Sequence, residues 1–510
     1  MLEALPPALL ALLFAPALGA LALVLPWFLG WSPGERGIAA VARVTNGAAL
    51  LGVLLAVAGR LGGVLPGALP LGAWWSELGR PVTLELALDA PGLAFAALGA
   101  SVTVVAGRLS TTYLHRERGF LRFFAALCLF QLSVILVSLG GSALLAFAGW
   151  EGLGLGSYLL IGYYYDRLDT SRFATRAFVI NRIGDAAFLL GALLCARWMG
   201  DTGWDTVAAR AGALSDLEAL ALAGCFGLAA AVKAGQLPFS FWLSRAMEGP
   251  TPSSALFYGA VATHAGVLLL LRAAPILHVG QLAGALIVVI GAASGVFGAS
   301  VSSAQTDIKS ALAFGAIGQL GVMFVWVGLG FDTLALVHLL AHGAVRGVQL
   351  FHAPSVVHDP PVQPVGDVFQ RSAHATAAAL NRGWMEELAL ASVAESVRTL
   401  SRDLDRLDTV IVARATGSPA RRAVTGLAGW REQGENPSTV GVGRGVLGRL
   451  TQWTAAALAR VEDQLVLRAI GQGLPEAGGR LGVWLNRVEL SLGRLWVIAL
   501  IVLGTLLAVS

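Results

Sequence analysis

The chain predicts an all-α polytopic membrane protein, and three observations carry that reading. Hydrophobic residues make up 56% of its 510 residues and charged residues only 13%, against about 25% charged in a soluble domain. Mean hydropathy is +0.72. Apolar runs of roughly 20 residues, the length that crosses a bilayer, recur along the sequence.

Candidate spans lie near residues 8–30, 39–63, 90–109, 120–139, 142–164, 174–197, 217–247, 252–273, 281–302, 308–329, 333–352 and 492–509, giving about twelve transmembrane helices. Met1-Leu-Glu-Ala-Leu-Pro-Pro has no basic segment before the first run, so it reads as a first spanning helix rather than a cleaved signal. The link at 108–122 carries Arg108, Arg116, Arg118 and Arg122, and the link at 165–176 carries Arg167, Arg172 and Arg176. Both belong on the cytoplasmic side by the positive-inside rule. Alternation then puts the N-terminus, 64–88 and the Asp201, Asp205 and Asp216 loop outside. Residues 81–88 alternate in part between apolar and polar, which suggests a short strand or hairpin at the outer surface.

Residues 359–490 are rich in Arg, Asp and Glu and hold no spanning run. Val393, Val397, Leu400, Leu404, Leu407 and Ile411 recur at steps of four and three, with charges filling the other face. That is an amphipathic helix, and a weaker one covers about 448–470. A solvated helical hairpin and a helix lying along the membrane or a neighbouring subunit both fit. The division is 1–117, helices with an outer hairpin; 118–273, a unit with a broken helix near 233–240; 281–358, a shorter unit; 359–490, the amphipathic region on the cytoplasmic side; and 491–510, a last span.

Only two lysines, Lys233 and Lys309, occur against 33 arginines, and both sit in or beside apolar stretches. An ammonium releases a proton when desolvated, whereas a guanidinium does not. An ionisable residue within a span is a functional candidate. Glu151 follows Trp150 and precedes Gly152, Gly154 and Gly156, which admit a close helix neighbour. By type its partner is Lys233, as a titrating pair or as a fixed ion pair that only holds helices. Lys233 is followed by Ala-Gly-Gln-Leu-Pro238, and proline breaks a helix. A broken helix beside an ionisable residue is a recurrent transporter device. Arg182 and Asp185 are three apart on one helical face, and Asp307 suits a helix start just before Lys309. His338, His342 and Arg346 line one face of the next helix, and His264 lies in the span after the proline break. Zinc on the two histidines lacks a completing carboxylate or cysteine. Cys128, Cys195 and Cys225 lie in separate runs without cluster spacing, so an iron–sulfur site is not expected. The glycines of 152–156 follow no strand, so no phosphate loop is expected. Cofactors in this chain, redox chemistry and nucleic-acid binding are all unexpected.

Phe123-Phe, Trp150-Glu-Gly-Leu-Gly-Leu-Gly-Ser-Tyr-Leu-Leu-Ile-Gly-Tyr, Lys233-Ala-Gly-Gln-Leu-Pro, Met247-Glu-Gly-Pro-Thr-Pro-Ser-Ser-Ala and Gln305-Thr-Asp-Ile-Lys-Ser-Ala-Leu-Ala resemble subunit L of bacterial NADH-quinone oxidoreductase (complex I). Mrp-type sodium/proton antiporters belong to the same family. The resemblance covers about 100–358. It implies antiporter-like inverted repeats of five helices, each with a broken helix on a proton path. By that resemblance Glu151, Lys233, Lys309, His338 and His342 are proton-path residues, with Arg182, Asp185, Arg346 and His264 modulating them. The sequence departs from the family at Tyr258, where the family has histidine, and at Arg346, where it has lysine. It also passes from His358 straight to the polar region, so the second repeat is expected to stop after three of its five helices.

These features predict a proton-translocating membrane subunit of a complex I-like assembly in a bacterial inner membrane, with the lipid bilayer, protons and other membrane subunits as partners. A proton-conducting subunit of a DAB-type inorganic-carbon uptake complex and a non-conducting scaffold are the alternatives. In the scaffold reading the stretch from Val393 to Ile411 packs laterally on a partner.

Overall fold

The computed structural model describes residues 5–31, 33–77, 80–246, 249–353 and 378–385. The chain divides into two compact units, Met1–Ala389 and Leu390–Ser510, and every described residue belongs to the first. His358, both amphipathic stretches and the apolar run 492–509 lie outside the described residues.

Helices α1 (Leu5–Leu13) and α2 (Ala15–Phe28) meet at a bend of 44°. Pro16, at the start of α2, has no N–H to continue the α1 ladder. After α3 (Glu35–Leu61), strands β1 (Ala68–Glu77) and β2 (Arg80–Ala87) form an antiparallel hairpin. The sequence pattern marked only its second strand, because β1 contains Pro70, Gly72 and two register irregularities. Helices α4 (Ala90–Tyr113), α5 (Phe120–Leu139), α6 (Ala143–Ile161) and α7 (Leu168–Met199) follow. Side chains cap two of them: Asp89 accepts from Gly92 N at 3.0 Å and Ser142 from Leu145 N at 3.2 Å, satisfying otherwise orphaned donors.

The short α8 (Trp204–Arg210) leads to α9 (Asp216–Lys233), which opens on a capping box of Ser215 and Glu218. α9 stops at Lys233, and α10 (Phe241–Arg245) is only five residues long. The stretch 217–247 is thus interrupted where the proline motif lies. A second interruption was not legible. The sequence predicted one continuous span at 252–273, whereas the structure has α11 (Thr251–Ser254), a widened π turn at Ala255–Ala260 and a separate α12 (His264–Leu277). The widened turn is where the chain meets a remote helix: Gly259 lies against residues 346–350, and a Cβ there would meet Leu350 at 2.9 Å. Helices α13 (Gln281–Ser302), α14 (Ile308–Gly328) and α15 (Asp332–His352) complete the bundle. Among the described residues eight helices are long and apolar enough to span, or nine with the bent α1–α2 pair. The twelve expected from sequence counted the two interrupted stretches and the run at 492–509.

The helix ends sort into two groups. At one end His115 bonds Glu35 at 2.7 Å, and Thr251 bonds Lys309 at 3.1 Å and Tyr113 at 3.4 Å. The arginine-rich links lie here, so we term it the basic end. At the other end backbone bridges join Leu86 to Gly140 and Ser142 to Gly203. This acidic end is braced by buried Arg272 of α12, which pairs with Asp89 and donates to the Ser138 carbonyl at 2.8 Å. α13 and α14 touch backbone to backbone: a Cβ on Gly291 would lie 2.5 Å from the Gly321 carbonyl oxygen, the close approach that small residues permit.

Glu85 of β2 sits at the acidic end, where burial first, and then the charges of Asp205 and Asp201, hold its carboxyl above the usual glutamate range. A raised carboxyl favours the protonated folded state, so its ionised form costs stability as pH rises through the folded value. Glu85→Gln is therefore expected to raise the thermal unfolding midpoint at neutral pH. The gain should vanish at pH values below the ordinary glutamate range. An equal effect at every pH would contradict this account.

Candidate functional site

The first polar cluster is built on α6, α7 and α9. Trp150 and Glu151 are consecutive on α6, so they leave the helix in different directions. The indole of Trp150, fully buried, donates to Asp185 Oδ1 at 2.7 Å. The Arg182 guanidinium pairs with Glu151 and, 2.7 Å away, with Asp185 Oδ2. One cation thus bridges two carboxylates. The i, i+3 spacing of Arg182 and Asp185 set up half of that bridge.

Lys233 is the last residue of α9 and 3% exposed. The negative end of the helix dipole suits its ammonium there. Its Nζ donates to the Trp150 carbonyl oxygen at 3.3 Å and stands 4.5 Å from the centroid of the Trp150 ring. The direct Glu151–Lys233 contact expected from residue type is absent among the described residues. Arg182 takes Glu151, and a tryptophan stands against the lysine instead. Gly154 makes room for both cations: a Cβ there would lie 3.3 Å from Arg182 Nη2 and 3.7 Å from Lys233 Nζ. A narrow cavity touches Lys233 and is lined by Gly154, Ser157, Tyr158, Asn181 and Trp242 among others.

Beyond Lys233 the chain unwinds through Gly235, at φ +61°, a value glycine adopts without strain. The break is held at three points. Gln236 Nε2 donates to the Ile317 carbonyl of α14 at 3.2 Å, Leu237 N donates to Ser294 Oγ of α13 at 3.0 Å, and Trp242 Nε1 donates to the Val232 carbonyl at 3.0 Å. Gln236 lies in the Lys233-to-Pro238 motif, but its anchoring role and that of Ser294 were not legible in the sequence, because their partners are remote in the chain.

The second cluster comprises the histidines. His264 opens α12 just past the second interruption, and its Nε2 lies 2.9 Å from His342 Nδ1 of α15. Their rings stack at 5.1 Å between centroids. Arg346 Nε donates to His342 Nε2 at 3.4 Å. Arginine has donors only, so His342 Nε2 accepts and a neutral His342 carries its proton on Nδ1. That proton then points at His264 Nε2, which leaves the His264 proton on Nδ1, 3.4 Å from Thr263 Oγ1. The bonds run in one direction, from Arg346 through both rings. His338, one turn earlier on α15, meets the His342 ring edge-on at 6.1 Å between centroids and lies 3.0 Å from Gln319 Oε1.

Lys309 forms a third group at the basic end. It is 2% exposed and donates to Thr251 Oγ1 at 3.1 Å, which stands 3.4 Å from the Tyr113 hydroxyl. Asp307 caps α14 by accepting from Ser310 N at 2.6 Å. Arg382 approaches the same helix start. It donates to Gln305 Oε1 and to Ser310 Oγ, each at 3.2 Å. Thr251 lies in the 247–255 motif, but no local pattern assigned a partner to it or to Arg382, since only the fold brings them to the start of α14.

Residues 141–369 match the sequence family described as NADH:quinone oxidoreductase/Mrp antiporter, transmembrane. NADH-quinone oxidoreductase subunit L of Mycobacterium tuberculosis is 36% identical over 287 residues, which is 56% of this chain and 45% of that protein. NADH-ubiquinone oxidoreductase chain 5 of Rhizopus stolonifer is 37% identical over 249 residues, 49% of this chain and 38% of that protein. This chain thus spans less than half the length of those relatives. Among solved structures, a chain of the Mrp complex from Dietzia sp. DQ12-45-1b superposes with a TM-score of 0.59 at 25% identity, over 68% of this chain and 37% of that one. A chain of the membrane-bound sulfane sulfur reductase, an archaeal respiratory membrane complex, shares the fold with a TM-score of 0.56 at 18% identity, over 67% of this chain and 70% of that one.

Arg182 neutralises two carboxylates, so its removal leaves both without their cation. Arg182→Leu is expected to cost on the order of 1–2 kcal/mol, because it strips the cation from buried Asp185 while Arg182 and Glu151 are themselves partly exposed. Arg182→Lys should recover part of it. Thermal unfolding of the detergent-solubilised protein checks this, and an unchanged midpoint in Arg182→Leu would refute it.

Proposed function

We propose that this chain, a member of the NADH:quinone oxidoreductase/Mrp antiporter family through residues 141–369, is a proton-translocating membrane subunit of a multi-subunit complex. The observation that carries the proposal is Lys233 at the end of an interrupted helix, buried and next to a carboxylate–guanidinium network. Its ammonium rests on a carbonyl and an aromatic face rather than on an anion, so small movements of charge nearby decide whether it keeps its proton.

In this reading the cavity beside Tyr158 and Asn181 brings a proton from the basic end to Lys233 Nζ. When Arg182 releases Glu151 and keeps only Asp185, the freed Glu151 carboxylate favours the charged lysine. When it returns, Lys233 releases the proton toward the histidines. His264 Nε2 accepts from His342 Nδ1, so the ring pair conducts only if Arg346 shifts or an outside donor reloads His342. This chain supplies the loading and storage of the proton, and a partner subunit supplies the remaining exit. Lys309, Thr251 and Tyr113 form a second mouth at the basic end. That end is cytoplasmic and the membrane is a bacterial inner membrane in this proposal. Oxidation and reduction take place in other subunits.

A complex I-like assembly is the leading setting. A DAB-type inorganic-carbon uptake assembly is the second, favoured by Arg346 in place of a proton-releasing lysine and by the direct passage from His358 to the polar region.

Proton uptake by inside-out membrane vesicles carrying the intact assembly, followed with a pH-sensitive dye, tests the proposal. Glu151→Gln and Lys233→Met are each expected to lower the initial rate on the order of a hundredfold while the protein stays in the membrane. Lys233→Arg should fail equally, since charge without proton release does not suffice. Wild-type rates in any of the three would overturn the role of that residue.

A further inference from the structure

Trp150 makes more of the contacts around Lys233 than any group so far given a role. One face of its ring lies 4.5 Å from the ammonium, its carbonyl accepts from the ammonium at 3.3 Å, and its indole N–H holds Asp185 at 2.7 Å. The ring has no freedom to turn. It is fully buried and packs edge-on against Phe188 at 5.1 Å, which in turn packs on Phe147 and Phe226. An aromatic cluster therefore holds the ring in place beside the charges it touches.

We propose that Trp150 is a positioning residue that keeps Lys233 and Asp185 apart, holding the ammonium on a π face and the carboxylate on an N–H so that the two do not collapse into a fixed ion pair. The proposal rests on the transport reading above. Three charged side chains act on Lys233: Asp185 and Glu151 attract it and Arg182 repels it. Glu151 stands on α6 and the other two on α7. α12 and α13, also packed on α9, add no charge that acts on Lys233 among the described residues. Asp185 keeps Oδ2 on Arg182 and Oδ1 on the indole, so Oδ1 is the carboxylate oxygen that turns to the lysine if the indole yields. A desolvated carboxylate–ammonium contact is strong, whereas a cation–π contact contributes about 0.5–2 kcal/mol. A proton carrier needs the weaker hold, because the stronger one traps the ammonium.

Trp150→Phe keeps an aromatic face and removes the N–H. Asp185 then loses its donor and turns to Lys233. In inside-out vesicles the initial proton flux should fall about tenfold or more. The pH of half-maximal flux should move upward by about one unit or more, as for a lysine gaining an adjacent carboxylate. Trp150→Phe with Asp185→Asn should return the half-maximal pH to that of Asp185→Asn alone. A flux lowered at every pH with its midpoint unmoved, or a midpoint that the second change leaves displaced, overturns the proposal. A flux-independent arm separates this failure from failure of the transport reading. Lys233→Met should lower the thermal unfolding midpoint more in the Trp150→Phe background than in wild type, because only there does it break an ion pair. Equal costs in the two backgrounds overturn the spacer role even if proton flux is confirmed, and unequal costs uphold it even if no flux is found.

Discussion

The bridge of Arg182 between Glu151 and Asp185 is the interaction on which the rest of the interior depends. Two carboxylates in an apolar bundle repel each other and lose hydration, and neither is tolerated without a cation. By engaging both, Arg182 leaves Lys233 without a carboxylate contact of its own among the described residues. The lysine then stays at the end of α9 on a carbonyl and a ring. Had the arginine been absent, Lys233 would be the neutralising cation and the site would be a structural ion pair.

Close helix approach is the second constraint. Gly154 leaves space for two cations beside one helix, and Gly291 lets α13 rest on the backbone of α14. Bilayer lipid gives helices little hydrophobic reason to associate, so contact of small residues supplies the packing. The rigidity of α13 and α14 matters for the break after Lys233, because Ser294 and the Ile317 carbonyl anchor it. An interruption of a spanning helix leaves polar backbone in the interior. Here remote side chains and carbonyls satisfy it and define its shape.

The two interruptions serve different clusters. The one after Lys233 is written in local sequence as glycine and proline. The one before His264 is a widened turn at which Gly259 packs against α15. Each borders a residue able to carry a proton, Lys233 before the first and His264 after the second. Arg346 sets the direction of the hydrogen bonds through His342 and His264 without being able to supply a proton itself.

By itself the sequence determined the class of protein, the positions of most helices, the proline-marked break and the residue types at its centre. Those follow from apolar run length, proline chemistry and the cost of burying a charge, all local or compositional. It also placed Arg182 and Asp185 on one face, because i, i+3 spacing is a property of any helix. It did not determine who neutralises whom. Residue type pointed Glu151 to Lys233, and the structure gave Glu151 to Arg182 and set Trp150 against the lysine. Nor did it mark the second interruption, the anchoring of Gln236, or the meeting of Thr251 and Arg382 with the start of α14. Each of these joins residues distant in the chain, so only the packing of whole helices could decide it.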